Sequence, residues 1–233
     1  MRVAEHLGNP KKEKIYNIYS IEEISEMSFS CPNCVLLMKA PNSTQQRPTL
    51  GIPDTKFVLL NDRAKMITKA PIRVIDLSLL ELHNSRTFWD IGACTGSVSI
   101  EARRQYPHLN IQAFEVREEC KDIIRANARL HSAPGIDLHI GNFLNLPIAE
   151  DAIVDAVFIG GHGGKLKEII CKVASHLDKL KGKIVFNSVS EESNKLFREA
   201  VEENDLKLHS EMNITVDTNN PITILCATGK YHV

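Results

Sequence analysis

From residue 87 onward the chain alternates short apolar runs with longer amphipathic stretches. Thr87–Ile91 is the first run, and Ile111–Glu115, Asp137–Ile140, Asp155–Ile159 and Lys183–Asn187 follow it as further strands. Between them the pattern predicts a helix after Gly96, others over Glu118–Leu130 and Glu191–Asn204, and one over Leu166–Leu180 with Gly182 as its C′ residue. Such alternation implies a parallel sheet covered by helices on both faces. The last β-rich runs, Leu206–Val216 and Ile222–Ala227, are joined by Asp217-Thr-Asn-Asn-Pro221 and imply an antiparallel edge hairpin. The expectation is an α/β fold with a mostly parallel, seven-stranded sheet.

Upstream the pattern is weaker. Pro71 opens an amphipathic helix with Ile72, Ile75, Leu79 and Leu82 at helical spacing, and proline is favoured in a first helical turn. Residues 1–40 hold a turn at Leu7–Pro10, a short helix over Ile21–Met27 and a short buried strand at Val35–Met38, pieces too small to close a core alone. Residues 41–50, polar and proline-bounded, read as a linker, which leaves 51–233 as the main domain.

Composition narrows the partners. A chain of 233 residues suits one α/β domain with an appendage, and 43% hydrophobic content suffices for its core. Net charge of −1 gives no electrostatic case for nucleic acid. No apolar signal region follows Met1 and no run reaches membrane-spanning length, so a cytoplasmic protein is expected. The six cysteines are scattered, and Cys31-Pro-Asn-Cys34 lacks the second ligand pair of a zinc site. His108, His131, His139, His176 and His209 show no metal-ligand spacing either, so no metal is expected.

The candidate chemistry gathers at strand ends, where ligands of such sheets sit. In Asp90-Ile-Gly92-Ala93-Cys94-Thr95-Gly96 two glycines permit close ligand approach. A dinucleotide loop, G-x-G-x-x-G, would need glycine where Cys94 stands, which argues against a nicotinamide-dependent oxidoreductase. The pattern D-x-G-x-x-T-G is similar instead to the first motif of S-adenosylmethionine methyltransferases, whose cofactor brings an amino-acid end and a sulfonium. Glu115, about 20 residues past Gly96, suits the two ribose hydroxyls. Asn142 suits an adenine amine, and Phe143 suits either the adenine ring or the core. Gly160-Gly161-His162-Gly163-Gly164 lacks the leading glycine and the hydroxyl of a phosphate loop. Its open backbone suits substrate contact, with His162 as a proton-handling group.

Several separated motifs then occur in order: Gly51-Ile-Pro53-Asp54, Ile67-Thr-Lys69 with Arg73, Trp89-Asp-Ile-Gly92, Thr95–Ala102, and Phe158-Ile-Gly-Gly161 with Gly163-Gly164. Over residues 51 to 230 they resemble the decarboxylating C15-methyltransferases of cobalamin biosynthesis. Residues 3–38 resemble the tail of the pathway's C5-methyltransferase, with which the former is fused in some organisms as precorrin-6Y C5,15-methyltransferase. The resemblance implies a Rossmann-like class I fold and a remnant of a preceding domain at residues 1–40. It implies S-adenosylmethionine held by Asp90, Gly92, Ala93, Cys94, Thr95, Gly96, Glu115, Asn142, Phe143 and Gly160. It further implies methyl transfer to C15 of a precorrin or cobalt-precorrin, loss of carbon dioxide from the ring C acetate, and a homotetramer. Pro53, Asp54, Gly161, His162, Gly163 and Gly164 would then meet substrate, and Lys69 and Arg73 would hold its carboxylates. Cys94 in place of Gly, Asn142 in place of Asp and Pro71 in place of Glu depart from the family pattern. A cofactor-binding module without catalysis is the competing reading.

Overall fold

The structure, a computed structural model, describes residues 1–38, 49–63, 66–217 and 221–231. The chain divides into two compact units, Met1–Arg47 and Pro48–Val233.

In the first unit β1 (Arg2–Glu5) lies between β2 (Lys14–Asn17) and β3 (Asn33–Leu36), antiparallel to both. The short helix α1 (Ile21–Ser25) is capped by Ser20, whose hydroxyl accepts from Glu23 N. These pieces therefore pair into a small sheet, which their separate patterns did not foretell. The expected buried strand at Val35–Met38 is corrected on two counts: it starts at Asn33, and it is exposed throughout. A strand becomes buried only when another layer covers it, whatever its own hydrophobicity. The linker expected at 41–50 lies almost wholly outside the described residues.

The second unit is built on seven strands: β4 (Thr87–Ile91), β5 (Asn110–Glu115), β6 (Ile136–Ile140), β7 (Ala156–Ile159), β8 (Lys183–Ser188), β9 (Leu206–Ile214) and β10 (Ile222–Gly229). Their order is β6-β5-β4-β7-β8-β10-β9, with β10 antiparallel to β8 and β9 and all other pairs parallel. Neighbouring side chains of one strand serve opposite faces. Trp89, Ile159 and Phe186 pack under α5 (Leu166–His176) and α6 (Glu191–Glu203). Phe88, Phe158 and Val185 pack with α2 (Ala70–Leu79) and α3 (Ser97–Gln105). The helix α4 (Cys120–Leu130) buries Cys120, Ile124 and Asn127, one face at helical spacing.

α5 stops at His176, four residues earlier than its apolar pattern suggests. Leu177 turns extended (φ −68°, ψ 133°) and bridges Val154 beside the sheet. Gly182 is not the C′ residue; it sits in the turn before β8, where a Cβ would come within 2.4 Å of Asp178 O. Strand order reverses between β5-β4 and β4-β7-β8, so a crevice opens at their carboxyl ends.

Candidate active site

That crevice holds a cavity of about 810 Å³. Its floor is the loop after β4. Gly92 takes φ +79°, and its N–H and that of Ala93 donate to Phe114 O at 2.8 and 3.1 Å. A Cβ at Gly92 would lie 2.6 Å from Gly161 N, so this loop packs directly on the loop after β7. Cys94 adopts φ +50°, a conformation easier for glycine, and its side chain is buried in a cluster with Cys120 and Ile124. Gly96 (φ +73°) precedes α3 and packs against Ile124 without lining the cavity.

Two carboxylates organise this loop. Asp90 is fully buried; its Oδ2 accepts from Ser99 N (3.1 Å) and Ser99 Oγ (2.6 Å), while its Oδ1 has no partner. Burial lifts its pKa to about 6, against the lowering effect of Ser99. Glu115, 2% exposed at the end of β5, accepts from Cys94 N at 2.8 Å and Arg117 N at 3.0 Å. It also faces the Arg117 guanidinium at 3.4 Å. Thr95 Oγ1 and Asn187 Oδ1, both on residues lining the cavity, are buried without partners.

On one wall Asn142 and Phe143 follow β6. Asn142 Oδ1 accepts from Leu144 N at 3.1 Å, so one acceptor position is spent on its own turn. Phe143 lines the cavity and also joins the core, edge-on to Phe114 at 5.0 Å. Lys172 on α5 holds this turn from behind by donating to the carbonyls of Phe143, Leu144 and Leu146. On the opposite wall Gly160, Gly161, His162 and Gly163 line the cavity, and Gly164 does not. His162 Nδ1 is 3.2 Å from Gly164 N. A backbone N–H only donates, so Nδ1 carries no proton and the neutral ring is protonated at Nε2. Burial keeps its pKa below the ordinary histidine value. His162 lines the cavity, with Nε2 as the protonated nitrogen of its neutral ring.

Along the mouth runs Met66–Lys69. Lys69 Nζ stands 3.5 Å from Asp54 Oδ2. Arg73, Asp54 and Pro53 do not line this cavity. Arg73 is fully buried, its Nε donating to Glu101 Oε2 (2.8 Å), one terminal nitrogen to Asp54 Oδ1 (2.9 Å) and Thr68 O, the other to Ile52 O. With its donors spent inside the protein, it is not placed to hold a substrate carboxylate. Glu101 Oε1 in turn accepts from Gly51 N and from Ile52 N at 3.1 Å. The Gly51–Asp54 motif is thus a clamp that fixes the segment leading to the cavity mouth.

Two residues missed in the sequence complete the clamp. Glu101 sits on the buried face of α3. Asn127 on α4 exchanges hydrogen bonds with Val58 N (2.7 Å) and Val58 O (3.0 Å) and donates to Thr95 O (3.0 Å). The available signal was a polar side chain on the apolar face of an amphipathic helix, where burial demands a partner.

The sheet order, the β9–β10 hairpin and the glycine turn after β4 define a class I methyltransferase fold. A family model described as the precorrin methyltransferase domain matches residues 60–225, and the chain belongs to that family. It is 35% identical over 127 residues to the cobalt-precorrin-6B C(15)-methyltransferase (decarboxylating) of Salmonella typhimurium, covering 54% of this chain and 64%, just under two thirds, of that relative. A probable enzyme of the same name from Thermoplasma volcanium is 32% identical over 152 residues, 64% of this chain and 72% of that one. Among solved structures, the precorrin-6Y C5,15-methyltransferase of Geobacter metallireducens has a TM-score of 0.70 at 32% identity and covers 79% of this chain and 100% of its own.

Proposed function

We propose that this chain transfers a methyl group from S-adenosylmethionine to C15 of a precorrin or cobalt-precorrin, with decarboxylation of the ring C acetate. The observation that carries the reading is the cavity between the two glycine loops, with Glu115 at its rim, in a member of the precorrin methyltransferase family. The cavity residues fit the cofactor: Asp90 Oδ1 and Thr95 Oγ1 are buried and unpartnered, and both belong to residues that line the cavity. Glu115 would accept from the ribose hydroxyls, Asn142 and Phe143 would meet the adenine, and Asp90 would face the cationic end. Bound there, the cofactor supplies a methyl on a sulfonium and asks no nucleophile of the protein. The chain's own task is to align the macrocycle, and Lys69 and the Nε2–H of His162 are the donors for its carboxylates. The antiparallel β10 inside the sheet does not fit the all-parallel dinucleotide order, which argues against the nicotinamide reading.

The same reading takes residues 1–40 as part of a C5-methyltransferase domain, and the assembly as a cytoplasmic homotetramer, which light scattering would count. No helix among the described residues is long and apolar enough to cross a membrane.

Incubation with the C5-methylated precorrin and S-adenosylmethionine is expected to give a product with one methyl gained and one carbon dioxide lost, read by mass spectrometry. Binding of S-adenosylhomocysteine without turnover would make the chain a binding module, and binding of NAD in its place would overturn the reading.

Asp90 gives the binding a pH dependence. Its folded pKa of about 6 lies above the ordinary 3.8, so the free protein favours the protonated form, and the associated stability is lost as pH rises through 6. A cationic ligand favours the carboxylate. Affinity for S-adenosylmethionine is therefore expected to fall by up to about tenfold per pH unit below pH 6, with proton release on binding. Calorimetry in two buffers of different ionisation enthalpy measures both, and Asp90→Asn should flatten the profile.

A further inference from the structure

One buried acid takes no part in the rim just described. Asp76 lies on α2, fully buried, and its Oδ2 accepts a 2.7 Å hydrogen bond from Asn187 Nδ2. Its Oδ1 has no partner. Asn187, near the end of β8, lines the cavity, and its own Oδ1 is also buried and bare. Two bare acceptors in one bonded pair is a costly arrangement for a carboxylate. A single proton on Asp76 Oδ1 relieves both, because the acid O–H can then donate to the amide oxygen and close a ring of two hydrogen bonds. The charge that favours its ionised form is that of Arg73, whose donors are committed elsewhere. Arg73, one turn back, already spends its donors on Glu101 of α3, on Asp54 and on carbonyls. β8 and β10 bring Val185 and Ile224 to the cluster that holds α2. Burial accordingly pushes the Asp76 carboxyl up to about 8, with Asn187 and Arg73 lowering it only in part.

We propose that Asp76 is a neutral carboxylic acid paired edge to edge with the Asn187 amide, and that it positions Asn187 as a further substrate-contacting residue. With the edge formed by one N–H and the amide oxygen committed to Asp76, the second N–H is left for the cavity that Asn187 lines. That N–H matches an oxygen of a carboxylate, the chemical class that the side chains of a tetrapyrrole substrate carry. This specificity role rests on the reading of the substrate given above; the protonation state does not.

The test uses Asp76→Asn, Asp76→Leu and Asn187→Leu in the full chain. Asp76→Leu and Asn187→Leu should each raise the KM for the precorrin about tenfold, the worth of one hydrogen bond, and the double variant no further. Affinity for S-adenosylhomocysteine should stay unchanged. Asp76→Asn keeps a neutral hydrogen-bonding partner and should retain the wild-type KM, without the rise that ionisation causes in the wild type above pH 8. Lower melting temperature with KM untouched in the leucine variants would make the pair purely structural and overturn the positioning role. Infrared difference spectra of wild type against Asp76→Asn should show a protonated carboxyl at neutral pH. Absence of that band overturns the neutral acid whether or not the precorrin is turned over. Its presence in a protein that binds cofactor but leaves the precorrin unchanged upholds the pair and rejects the substrate reading alone.

Discussion

Replacing Glu115 by alanine should weaken S-adenosylhomocysteine binding by about two to four orders of magnitude. The side chain would accept from two ribose hydroxyls, and hydrogen bonds to a charged group are worth about 1.5–3 kcal/mol each, or roughly 3–6 kcal/mol together. The loop would suffer as well, because Cys94 N and Arg117 N lose the acceptor that holds them at 2.8 and 3.0 Å. Glu115→Gln separates the two effects: it keeps an oxygen for Cys94 N but gives up the charge, so an intermediate loss is expected. Titration calorimetry reads the affinity, and unfolding of the free protein reports how much of the loss is structural. Affinity for the alanine variant within about threefold of wild type, under 1 kcal/mol, would remove Glu115 from the site.

The second large effect is one of stability. Arg73→Met should destabilise the second unit by about 3–5 kcal/mol, the usual result of leaving one partner of a buried ion pair uncompensated. Arg73 and Glu101 side chains are both 0% exposed, so neither finds water when its partner is removed. Denaturant unfolding measures the loss, and adding Glu101→Leu should recover much of it because no lone charge then remains buried. An arginine reaching substrate would behave differently, raising KM with stability intact. That outcome would reject the clamp.

The sheet was legible because its signals are local. Alternation of apolar runs with amphipathic stretches reports strands and helices, and the polar Asp217–Pro221 segment marks a hairpin. The motif at Asp90–Gly96 was legible for the same reason, since a glycine turn between strand and helix is a local backbone requirement. Cys94 shows how far this goes. The left-handed conformation at that position explains a preference for glycine, yet the chain accommodates a thiol by turning it toward Cys120 and Ile124.

Arg73 shows where local reading stops. A basic residue near the start of an amphipathic helix looks the same whether it faces ligand or protein, and its partners Glu101, Asp54 and Ile52 come from other elements. By itself the sequence determined the order and type of the elements of the second unit, the glycine turn and the family to which the chain belongs. Those follow from periodicity and short motifs. Only the tertiary structure decided which polar side chains face the cavity and which are spent inside: Arg73 and Asp54 to the clamp, and Asp76 to an amide 111 residues away. The reason is that desolvation fixes the role of a buried polar group through its partners, and partners are brought together by packing across the whole sheet.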